Sequence, residues 1–217
     1  AAILPLEMVL YGGLLPSRIH ALSKRTLQER LDRFRDLLLE AKRSGTQVHL
    51  FGMIMRTPSY SSAEEEPEYY GEYGAAIFSR GFLTHKEEMV GLDPEERLRL
   101  HGASREIPGA VTADYDRRRE LNHGALQRVV EFLREGLLDR LVLPEDDTAE
   151  FGYGPREKAR LLKSIKKKRV EDRVLSYPGA DEVGSVLVAA AVLRSLKVVP
   201  RVAPLYMDRE AELMVPR

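Results

Sequence analysis

The stretch "LDRLVLPEDDTAEFGYGPREKARLLKSIKKKRV", residues 138–170, decides the fold. Its first part, 138–144, is a short apolar run of the kind buried in a parallel sheet. The run meets Glu145, Asp146 and Asp147 with no turn residue other than Pro144 in between. From Gly154 to Val170 the pattern changes, with Leu161, Leu162 and Ile165 at helical spacing among lysines and Pro155 suited to the first helical position. Strand, polar turn and helix in that order are the repeating half of a β-α-β unit.

The same alternation extends in both directions. Upstream, 112–136 reads as a helix stopped by Gly136, 47–55 as a strand ended by "RTPS", and 27–45 as a helix stopped by Gly45. Residues 1–10, "AAILPLEMVL", read as the first strand, followed by the turn "YGGLLPSR". Downstream, 172–179 reads as a fourth strand, 181–196 as a helix and 199–207 as a fifth strand. Five strands separated by helices predict an α/β fold of alternating β-α units on a parallel sheet, part of a barrel-like or doubly wound architecture. One domain spanning 1–217 is expected.

Residues 57–111 are too long for an ordinary strand-to-helix loop and predict a helical insertion over the strand ends. Ser61 and Ser62 stand three residues before Glu64 and Glu65, the spacing of a capping box, and 92–102 predicts a second short helix. Tyr60, Tyr69, Tyr70 and Tyr73 cluster there, offering flat apolar faces either to a ligand or to the body of the domain.

Composition narrows the partners. With 34 basic and 34 acidic residues the net charge is zero, which argues against nucleic acid or an anionic membrane surface as the main partner. The 43% hydrophobic content suits a sizeable core, and the absence of cysteine excludes disulfide and thiolate chemistry. No apolar run approaches the roughly 20 residues that span a bilayer, and a cytoplasmic protein is expected. The chain starts without methionine and inside an apparent strand, so a piece of a longer protein is expected.

Ligands of parallel sheets bind at the carboxyl ends of the strands. The residues expected there are Tyr11, Gly12, Gly13 and Arg18 after strand one, Arg56 and Tyr60 after strand two, Asp146 and Asp147 after strand three, and Tyr177, Asp181 and Glu182 after strand four. Neighbouring carboxylates with separated pKa values would supply an acid and an ionised partner. Asp147 and Asp181 also suit helix caps. Arg18 and Arg56 would grip an anionic group or pair with the rim carboxylates. No cofactor is expected, although the oxygen-rich rim would suit Mg²⁺ or Ca²⁺; the five histidines lack zinc-type spacing.

"MVLYGGLLPSRIH", "IMRTPSYSSAEEEPEYYGEYG", "LVLPEDDTAEFG" and "RVLSYPGADEVG" together resemble a bacterial family known as domain of unknown function 4127. The resemblance implies a longer parent chain with further β-α units on both sides. It matches at Asp146 and Asp147, whereas the family more often carries Asp at position 7 and Gln at position 145. A direct chemical role for Glu7 or Glu145 is therefore not expected.

Three functions fit this reading. The first is a hydrolase acting on a carbohydrate or glycoconjugate, with Asp147 as acid, Asp146 as orienting group and Glu182 as the next carboxylate, by analogy with substrate-assisted hexosaminidases. The alternatives are a divalent-metal-dependent hydrolase or lyase, and a non-catalytic module for a small polar, sugar-like ligand.

Overall fold

A computed structural model describes residues 1–146, 149–201, 203 and 205. Four parallel strands, β1 (Ala2–Pro5), β2 (Val48–Phe51), β3 (Arg140–Glu145) and β4 (Val174–Pro178), lie side by side in chain order. Leu4, Leu50, Leu141 and Val174 are in register across the sheet, and all four pack into the main core.

Side chains alternate across a strand, so each strand feeds two faces. The face carrying Leu4, Leu50, Leu141 and Leu143 is covered by α1 (Leu6–Tyr11), α3 (Lys24–Arg43), α6 (Gly109–Arg134) and α7 (Tyr153–Lys168). The face carrying Ile3, Phe51, Val142 and Tyr177 meets α8 (Val183–Ser195) through Val183 and Leu187. Among the described residues the sheet is open and its strand order follows the chain, with α3, α6 and α7 on one face and α8 on the other.

Strand one is shorter than expected. Extended structure stops at Pro5, and 6–11 wind into α1, burying Leu6, Glu7 and Leu10. Leu6 and Leu10 are four residues apart, a spacing that suits one face of a helix and of a strand alike, so the segment's apolar pattern conceals the change. Gly12, at φ 89°, ends α1, and after Gly13 the expected turn winds into α2 (Leu14–Ile19). Pro155 is the third residue of α7 rather than its first, and α8 begins at Val183 with no capping side chain. The expected fifth strand, 199–207, lies partly outside the described residues; 199–201, 203 and 205 carry no strand.

Residues 57–111 contain α4 (Tyr70–Met89) and α5 (Pro94–Glu106). The Ser61–Glu65 spacing caps no helix. The capping box is instead Asp93 with Glu96 at the start of α5. Tyr70 and Tyr115, with ring centroids 5.8 Å apart, anchor a second core cluster that holds this segment onto α6. The tyrosines thus serve mainly in packing, and Tyr60 is the one that stays exposed.

Candidate functional site

The strand ends gather charge in a definite order. α2 delivers Arg18, which is buried, and the chain leaving β2 delivers Arg56. Arg18 donates to Asp146 at 2.9 Å and to Glu65 at 2.7 Å. Arg56 donates to the same Glu65 oxygen at 2.7 Å and to Glu66 at 3.0 Å, and lies 3.8 Å from Asp146. Two guanidiniums thus converge on one carboxylate oxygen, while Asp146 and Glu66 brace them separately. Glu66 is buried with its Oε2 unpartnered among the described residues, and burial raises its pKa.

Behind this cluster lies Glu7. Its carboxylate accepts the Met53 backbone N–H at 2.7 Å, yet burial dominates and pushes its pKa up to about 7. Glu7, Tyr11, Ser17, Arg18, Arg56 and Asn122 help to line a cavity of about 20 Å³, and the Tyr11 hydroxyl is buried there without a partner among the described residues. Position is set from α6: Asn122 donates to the Ser17 carbonyl at 2.9 Å and contacts the His20 ring at 2.9 Å, which ties α2 down. Arg56 also borders an open cavity of about 420 Å³ with Pro58, Tyr60, Phe78 and Asp146.

The segment that carries Arg56 is fastened by a buried ion pair. Arg119 of α6 bonds both Glu157 oxygens, at 2.7 and 3.0 Å, and donates to the carbonyls of Met55 and Arg56. A separate cavity of about 240 Å³ between α4, α6 and α7 is lined by Arg80, Arg119, Arg156 and Arg160. All four are paired with carboxylates, as Arg18 and Arg56 are at the rim.

The expected residues therefore separate into groups. Tyr11, Arg18, Arg56, Tyr60 and Asp146 come together at the rim, with Gly12 and Gly13 forming the turn between α1 and α2. Tyr177 faces the α8 side of the sheet, and Asp181 and Glu182 are exposed and unpaired with Arg18 or Arg56. Asp147 lies outside the described residues. Glu145 pairs with Lys158 at 2.6 Å and accepts from Ser176 at 3.3 Å, a bracing role. Among the described residues, no three acidic or histidine side chains are grouped to hold a metal ion. No described helix is long and apolar enough to cross a membrane.

Sequence reasoning missed Glu65, Glu66 and Arg119, and set Glu7 aside. Arg119 had a legible signal: it lies on the α6 stripe of Tyr115, Leu126 and Val130, where a lone charge needs a buried partner. Glu7 offers no such signal, because 1–10 reads as a strand and the start of α1 at Leu6 has no local mark.

Compared with known families, the chain matches the one described as Protein of unknown function (DUF4127) over residues 1–217, and it belongs to that family. No curated protein and no solved structure matches it.

Proposed function

We propose that this DUF4127 chain carries, at the carboxyl rim of its sheet, the acid/base site of a hydrolase acting on a carbohydrate or glycoconjugate. Glu7 takes the place of Asp147 as the proton-holding group, and Arg18 with Arg56 positions the substrate. The observation that carries the reading is that Arg56 borders both the inner cavity holding Glu7 and the open cavity walled by Tyr60 and Phe78. A carboxyl group kept protonated near neutral pH suits donation to a leaving oxygen. Aromatic walls suit the apolar face of a sugar ring. Asp146, tied to Arg18 at 2.9 Å, orients the clamp rather than reaching the leaving group.

A non-catalytic module for a small polar ligand is the second reading, favoured by the arginine pairing of Glu65, Glu66 and Asp146. A panel of chromogenic glycosides, run with and without chelator, separates the two. The wild-type chain is expected to cleave at least one glycoside, and Glu7→Gln to lose roughly 100-fold or more of that rate. Cleavage that survives Glu7→Gln removes Glu7 from the mechanism. Loss with chelator points to the divalent-cation alternative, and no cleavage at all favours the binding module.

A further inference from the structure

Glu65 is oddly placed for a structural residue. It sits in the irregular segment 57–69 with its side chain 48% exposed, yet one of its oxygens accepts from both Arg18 and Arg56 at 2.7 Å. Neither guanidinium needs it for position. Arg18 is held by Asp146, and Arg56 by Glu66, each at 3.0 Å or less. Without Glu65, two N–H donors from different strand ends would still point at one spot. Paired planar donors of this kind are the usual seat for a carboxylate or phosphate oxygen.

We infer that Glu65 is an internal stand-in for an anionic group of the ligand, and that the rim takes ligands bearing a carboxylate or phosphate which displace it. The inference deepens the carbohydrate reading above and rests on the same rim. The open cavity beside Arg56 and Asp146 gives the rest of such a ligand room, with Tyr60 and Phe78 as its walls. Glu65 lies nine residues along the chain from Arg56, so it competes as a tethered carboxylate at high effective concentration. That competition weakens every anionic ligand and leaves neutral ones untouched. The segment 57–69 would have to shift only enough to withdraw one side chain.

Calorimetric titration of the wild-type chain and Glu65→Ala with three probes tests this: inorganic phosphate, methyl β-D-glucuronide and methyl β-D-glucoside. Glu65→Ala is expected to bind phosphate, the glucuronide or both about tenfold more tightly, and which of them responds identifies the anion class. The glucoside should be unaffected. Adding Arg56→Gln to Glu65→Ala should abolish the gain, which a merely loosened segment would not do. Unchanged binding of both anions overturns the inference, including the case in which neither binds at all. Should the glucoside bind both chains equally while the anions gain nothing, the carbohydrate reading stands without the stand-in. Should phosphate alone gain and neither sugar bind, the stand-in survives and the carbohydrate reading fails.

Discussion

Glu7 sets the terms at the scale of single residues. Its folded pKa of about 7 lies above the ordinary 4.5. Between those values the folded chain holds a proton that the unfolded chain releases, so Glu7 makes stability fall as pH rises through this window. The full effect is roughly 3 kcal/mol at about 1.4 kcal/mol per tenfold. His123 acts in the opposite sense. Burial lowers it to about 4 from 6.5, so its contribution is lost as pH falls through that range. Urea unfolding of wild type and Glu7→Gln, at about pH 4 and about pH 8, cancels the histidine. The variant should lack the Glu7 decline, gaining on wild type by up to roughly 3 kcal/mol at the higher pH. Equal pH dependence in the two chains would mean that Glu7 is not held protonated.

What was legible at this scale was residue type and not burial. Arg18, Arg56 and Asp146 were expected at the rim because strand ends collect there whatever the details. The burial of Glu7 and the reach of Glu65 depend on how α1 and segment 57–69 pack, and no local pattern encodes either. The serines and glutamates at 61–65 resemble a helix start, but the segment stays irregular and Glu65 turns to the arginines.

Among elements, Arg119 joins three: α6, α7 and the chain leaving β2. Arg119→Met should destabilise by about 3–5 kcal/mol, because it strands Glu157 in the interior and frees two carbonyls. Glu157→Gln, measured in the same urea titration, should cost a similar amount, because the buried guanidinium keeps its carbonyl partners but loses its counter-charge. Gly81 is a second junction. A Cβ there would come within 2.3 Å of the Tyr153 ring, so α4 and α7 would have to separate. Gly81→Ala should cost about 1–3 kcal/mol, read as a lowered melting temperature. The long helices were legible because their apolar period and stops are strong, as in 27–45 with Leu27, Leu31, Phe34 and Leu38. The first strand was misjudged in length because "LEMVL" is apolar at both periods, and only the buried partners of Leu6 and Leu10 decide between them.

For the whole molecule, burial is uneven between the two faces of the sheet. On one face Val129, Val130, Phe132 and Leu133 of α6 are completely buried in the main core, which also takes in Leu50 of β2 and Leu141 and Leu143 of β3. On the other, α8 buries only Val183 and Leu187 and leaves Val186, Val188 and Val192 about half exposed. Hydrogen exchange should therefore be slowest in α6, β2 and β3 and much faster in α8; equal protection would contradict this layering. The parallel, alternating architecture was legible from chain order alone. That the four described strands form an open sheet in chain order was not, since strand pairing depends on contacts distant in sequence. The central claim, an acid kept protonated beside a two-arginine clamp, is tested most directly by carbon-13 NMR titration of the Glu7 side-chain carboxyl, assigned by its loss in Glu7→Gln. A midpoint near 7 is predicted, and a midpoint in the ordinary range near 4.5 would contradict the account.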